Sequence, residues 1–312
     1  MKIDDKGNLI LGTSVILIIT LLLLSIFVFM TINYIQNENI DSYENDNFKY
    51  IVDDYSNNIE VLGRNSIEDA CDKVYHSFKL LDSEDQIKKN LDKKLDKKNE
   101  EFKEKYDADI ESEVVSVTPT DSPWKVLFKV KLNIKKNNNR FYKVIDRNVS
   151  IEGLRDPLPP AKLSVASGIF IEGNKINYKN ALTRYLKLRN LDSPFSYAFA
   201  TTPLTIKKCP YDPYIHHGDP GVLKDCLKQG YFHESADGSC YLCRLEGKGK
   251  CPHYGMEVFI QTHTPLMNDS ISCSDHVVFH DHYTGQKINK KDINSLILDS
   301  SHRKKYGLSE ND

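Results

Sequence analysis

The sequence has no excess of charge of either sign: 42 Lys and Arg stand against 44 Asp and Glu in 312 residues, a formal net charge of -2. A nucleic-acid partner needs a concentrated positive face, and this balance offers none. The chain also lacks G-x-S-x-G, a P-loop, H-E-x-x-H and G-x-G-x-x-G. Nucleotide partners and the commonest hydrolase constellations therefore have no anchor. Only one C-x-x-C is present, and only one long apolar run. That run is marked by another absence, since no charged residue lies between Lys6 and Glu38.

Leu9 to Ile32 reads LILGTSVILIITLLLLSIFVFMTI. At ~1.5 Å per residue a helix of this length reaches about 36 Å, more than the ~30 Å hydrocarbon layer. The run is longer than the apolar part of a secretory signal and ends in Thr31-Ile-Asn-Tyr-Ile rather than a small-residue cleavage site. A single retained transmembrane helix is expected over residues 8–35, with membrane lipid as its partner. Lys2 and Lys6 precede it and acidic residues follow it, which predicts a cell-membrane protein with residues 1–7 inside and the bulk outside. Two N-glycosylation sequons, at Asn148 and Asn268, agree with an outer location.

Beyond the run, Ile67, Ala70, Cys71, Val74, Phe78 and Leu81 recur on one helical face that starts near Ser66. Cys71 on that stripe reads as a buried free thiol. Ser83 and Gln86 resemble a capping box ahead of a second helix with the stripe Ile87, Leu91, Leu95, Phe102 and Tyr106. The period then changes to two: Trp124, Val126, Phe128, Val130, Leu132 and Ile134 alternate with mostly polar neighbours. Asn137 to Asn139 turn that strand into a hairpin with 141–151, and 113–117 supplies a third strand. The fold class expected is α+β: an N-terminal transmembrane helix, amphipathic helices packed on an antiparallel sheet, then a loop-rich, Cys-rich α+β domain.

Asp4-Asp5-Lys6-Gly7 before an uncharged helix, a polar extension, and a hairpin from Trp124 that closes at Val149-Ser-Ile-Glu-Gly-Leu-Arg-Asp-Pro157 together resemble the archaeal type IV pilin-like surface proteins. The likeness covers roughly residues 1–160. It implies cleavage after Gly7, a mature chain that begins at Asn8, and partners among other pilin-like or envelope proteins. Asn8 stands where that family has Gln, and Gly12 where it has Glu. A plain membrane anchor carrying a pilin-like stalk over 36–152 fits the same residues.

The proline-rich stretch GLRDPLPPAKLSVA at 152–165 breaks both periods and marks a boundary, after which 153–312 forms a Cys/His-rich outer domain. Expected elements there are a hairpin about Gly173-Asn174, helices at 179–190 and 222–229, and strands at 257–261, 276–279 and 295–298. Six of the seven cysteines, Cys209, Cys226, Cys240, Cys243, Cys251 and Cys273, fall in this region, an even number suited to a disulfide framework outside the cell. The same region offers metal ligands: Cys226, Cys240, Cys243, Cys251 and His253 provide enough thiolate and imidazole for a tetrahedral zinc site. In an extended 276–282 segment His280 and His282 would lie about 6.6 Å apart on one face, close enough to share a metal, with His216 or His217 as a further ligand. No catalytic residue is evident. The chain reads as a membrane-anchored surface protein of structural or binding role, with no cofactor beyond zinc. A metal-dependent hydrolase on His280 and His282 is the alternative.

Overall fold

The computed structural model describes residues 15–28, 30, 40–42, 46–163, 168–189, 197–261, 273–279 and 300–308. Residues 15–28 form helix α1, whose large apolar side chains all face outward, from 47 % exposure at Val28 to 69 % at Phe27. No helix among the described residues is long and apolar enough to cross a membrane. The spanning helix over 8–35, and the single-pass cell-membrane location drawn from it, are corrected on that finding. An uncharged run of sequence has the composition of a span, but crossing ~30 Å of hydrocarbon takes some 20 continuous helical residues. The polar stretch after the run holds strand β1 (Ile40–Ser42) and opens α2 at Asp46.

Helix α2 runs from Asp46 to His76, well before the start expected at Ser66. Ser66 sits inside it and returns its hydroxyl to the Leu62 carbonyl, 2.7 Å away, so its side chain serves the helix interior instead of capping it. Helix α3 (Ser83–Tyr106) is capped by Asp82, whose carboxylate accepts from the Asp85 amide, and not by a Ser83–Gln86 box. Ser83 points elsewhere: both its amide and its hydroxyl donate to Glu246 of the C-terminal half. Asp107 in the left-handed region ends α3.

Strands β2 (Asp109–Pro119), β3 (Lys125–Lys136) and β4 (Asn139–Ser150) join β1 in an antiparallel sheet of order β1-β4-β3-β2. Period-two patterning puts Val126, Phe128, Val130, Leu132 and Ile134 on the buried face of β3, and α2 and α3 cover that face. Gly63 marks the closest approach of α2 to the sheet. A Cβ there would meet Val149 Cγ2 at 3.2 Å and Phe128 at 3.4 Å.

The second half consists of short elements. Helix α4 (Leu158–Leu163) is followed by sheet β5 (Phe170–Glu172), β6 (Lys175–Asn177), β7 (Thr201–Pro203), with α5 (Ala181–Leu188) between β6 and β7. Helix α6 (Pro220–Gln229), strand β8 (Phe232–Ser235), helix α7 (Tyr241–Leu245) and strand β9 (Gly255–Ile260) then lead to β10 (Cys273–Ser274), α8 (Asp275–Phe279) and α9 (Ser300–Lys305). The strand expected at 276–279 is thus helical, because Asp275 turns the chain by accepting from the His276 amide while it also bonds the Val258 amide.

One buried apolar cluster includes Phe128 and Leu132 of the sheet together with Phe232, Tyr241, Leu245 and Val258, so the two sides of the 152–165 stretch share a core. Its polar centre is Arg244, fully buried, which donates at 2.6–2.8 Å to both oxygens of Asp156 and at 2.6 Å to Asp275. Three segments distant in sequence are held by one guanidinium fork. Cys71 lies buried at the edge of this core, 3.5 Å from the Arg155 carbonyl, and burial pushes its thiol up to about 12.

Candidate metal centres

Two sets of four side chains converge in the second half, each with its ligand atoms within 4.8 Å of one another. The first set is Cys209, His217, Cys226 and His233, all buried. Cys209 is held beside β8 by its amide, which donates to the Phe232 carbonyl at 2.9 Å. His217 comes from a 3-10 turn over Tyr214–Gly218. Asp219 caps the next helix, α6, by accepting from the Gly221 and Val222 amides, and Cys226 lies in its last turn. Gly230, at φ 69°, closes α6 in the left-handed region and sends the chain into β8, which brings His233 back over Cys226. The hook is therefore a helix, a glycine stop and a strand.

The distances suit a tetrahedral ion. With metal–sulfur bonds of about 2.3 Å and metal–nitrogen bonds of about 2.0–2.1 Å, tetrahedral ligand atoms lie about 3.6 Å apart for S and N and about 3.3 Å for two N. Cys209 Sγ is 3.6 Å from His217 Nε2, Cys226 Sγ is 3.3 Å from His233 Nε2, and the two Nε2 atoms are 3.1 Å apart. The His217 tautomer is fixed by its other nitrogen: Nδ1 donates to the Tyr214 carbonyl at 2.8 Å, which leaves Nε2 as a bare lone pair aimed into the cluster. Tyr214, Phe259 and Tyr306 pack their rings within 5.1 Å of the His233 ring and keep water out.

The second set is Cys240, Cys243, Cys251 and His253. The C-x-x-C lies at the start of α7, with Cys240 at the N-cap. A left-handed Gly247 (φ 71°) reverses the chain, and the Lys248 amide donates to the Cys243 carbonyl at 2.9 Å. That turn returns Cys251 to the pair, where its sulfur accepts from the Cys240 amide at 3.3 Å. His253 Nδ1 stands 3.5 Å from Cys240 Sγ and 3.6 Å from Cys243 Sγ, the separation expected for S and N ligands on one ion. The three cysteines are buried and His253 is exposed, so the site lies at the surface with only its imidazole in solvent.

The thiols in each cluster shift one another's protonation. The hydrogen bond from Cys226 draws Cys209 down to about 3, helped by His217 and His233, while the same bond and burial push Cys226 far up. Bonds from Cys240 and Cys243 lower Cys251 to about 2; Cys240, although Cys243 donates to it, rises to about 12 through its bond to Cys251 and its burial. Sulfurs this close share one negative charge unless a cation lets the rest ionise.

Sequence reasoning and structure agree on part of this. Cys240, Cys243, Cys251 and His253 come together as expected. Cys226, grouped with them from the sequence, belongs to the other set. None of the six cysteines Cys71, Cys209, Cys226, Cys240, Cys243 and Cys251 is disulfide-bonded. Cys273 lies in β10, and its side chain, like His280, His282 and Asn268, is outside the described residues. Asn148 is exposed on β4. Of the adjacent pair His216-His217 only His217 turns inward; His216 is exposed. His233 went unremarked in the sequence, where a lone histidine next to a phenylalanine carries no signal. No protein family model, curated protein or solved structure matches the chain.

Proposed function

We propose that the C-terminal half is a zinc-organised structural module with a binding role and no catalytic one. One observation carries the reading: each cluster supplies four protein ligands at tetrahedral separations, which closes the coordination shell. Thiolate mixed with imidazole suits zinc among the common divalent ions. Cys2His2 with zinc is neutral, and Cys3His leaves a single negative charge near Lys248, whose ammonium is held mainly by Glu246 and to a lesser degree by Cys243 and Cys251. The elements between the ligands are only four to ten residues long. Helices and strands this short do not hold themselves, and a structural zinc site contributes roughly 10–16 kcal/mol to folding at pH 7. The ions would stand in for the crosslinks that disulfides give other loop-rich domains.

The test is metal analysis of the purified full chain with thiol counting. The reading expects two thiolate-bound zinc ions per chain, Cys209, Cys226, Cys240, Cys243 and Cys251 protected until a chelator is added, and melting of the second half on chelation. Native protein without metal, its cysteines paired in disulfides, would overturn it.

A further inference from the structure

We infer a third metal site of a different class, built from Glu257 of β9, His276 of α8 and His302 of α9 on a shared carboxylate oxygen. No cysteine takes part, so it stands apart from the thiolate reading above. Glu257 and both histidines are buried, with 0, 5 and 4 % of their surfaces exposed, and their ligand atoms lie within 4.8 Å of one another. His276 Nδ1 is 3.0 Å and His302 Nε2 is 3.1 Å from the same Oε2. An ion held at about 2.0–2.1 Å by three such ligands sets them about 3.3 Å apart, a few tenths wider than observed.

The competing arrangement is a carboxylate that merely accepts hydrogen bonds from its neighbours. The other oxygen, Oε1, fits that account: Lys305 Nζ donates to it at 2.5 Å and the Tyr306 hydroxyl at 2.6 Å. Oε2 fits it only in part. His302 Nε2 bonds it, but His276 Nδ1, 3.0 Å away in an ion-pair contact, is not aligned for a hydrogen bond to any acceptor among the described residues. A nitrogen buried this deeply without an aligned hydrogen bond recovers only part of its desolvation energy from the carboxylate beside it. A divalent ion among the three atoms would accept the lone pair of each. The bonds to Oε1 then act as a supporting shell that fixes the carboxylate.

Three protein ligands leave a fourth position open to water, unlike the closed quartets. The site would also tie α9 to β9 and α8, elements distant in the chain. Lys305 places a positive charge next to the ion, and only one carboxylate offsets it. The third ion is therefore held more weakly than the two on thiolates and leaves first under chelator.

Cobalt titration of the metal-stripped full chain separates the sites. Two equivalents should raise thiolate-to-cobalt charge-transfer absorption, and a third should add only ligand-field absorption. His302→Ala and His276→Ala should each lose the third equivalent and keep the first two with their thiolate bands. Saturation of the wild-type chain at two equivalents would overturn the proposal even if the variants fail to fold. So would a third equivalent that survives in folded His302→Ala. Absence of thiolate bands with the histidine-dependent equivalent still present would instead sink the closed-quartet reading alone.

Discussion

His216 and His217 are neighbours in sequence, and the structure gives them opposite fates, which makes them a sharp test of the first quartet. His217→Ala removes one of four ligands from a proposed ion whose total contribution would be roughly 10–16 kcal/mol, or about 2.5–4 kcal/mol if shared evenly. At 1.4 kcal/mol per tenfold, affinity for one of the two proposed thiolate-bound zinc ions should fall about 60- to 700-fold. The same change deletes a ring packed between Tyr211, Tyr214 and Tyr306, at centroid distances of 6.0, 6.1 and 5.3 Å, so thermal stability falls as well. His216→Ala touches an exposed side chain and should leave both quantities unchanged. Competition against a chromophoric chelator, run with thermal melts of both variants, reads the two effects. Equal loss in the two variants, or a change under tenfold in His217→Ala, would refute the geometry assigned to this cluster.

Other expectations concern the packing that carries the sites. Arg244→Met leaves Asp156 and Asp275 buried without their cation and should cost about 3–5 kcal/mol in chemical denaturation; Asp275→Asn keeps one full pair and should cost less. Gly63→Ala should be close to neutral, since about 1 kcal/mol of helix propensity offsets its contacts with Val149 and Phe128, whereas Gly63→Val should cost about 1–3 kcal/mol. Burial raises the Glu246 carboxyl, but Lys248 and the two Ser83 donors outweigh it and hold it below the ordinary range. Its stabilisation is therefore present above the unfolded carboxylate value and is lost as pH falls through the folded one. Glu246→Gln should cost about 1 kcal/mol at pH 7, with the difference from wild type closing at acid pH in denaturant melts. In the native chain with its metal in place Cys71, pushed up to about 12 by burial, should resist alkylation at pH 8, as peptide mapping would show.

Local pattern carried much of the architecture. The alternation in 124–134 and the Asn turn at 137–139 placed the hairpin, and the apolar stripe from Ile87 to Tyr106 placed α3, because period and turn chemistry are properties of neighbouring residues. Gly230 ended α6 for the same reason. Composition misled at the N-terminus, where the uncharged run is longer than the described helix. It also misled at 276–279, where β-rich residues are helical because Asp275 bonds both its neighbour and β9. Cys240, Cys243, Cys251 and His253 could be grouped from the sequence, though with Cys226 among them and disulfides as the competing reading, since they lie within one turn and one reversal of the chain.

The sequence by itself determined the layered helix-and-sheet half, the loop-rich character of the rest and the stretch of candidate ligands from Cys226 to His253. Only the tertiary structure decided which thiol joins which imidazole: it moved Cys226 away from Cys240 to Cys209, chose His217 over His216, and enlisted His233. Ligand grouping depends on where separate strands and turns end in space, to within a few tenths of an ångström. The intervals between those residues in the chain hold no record of it.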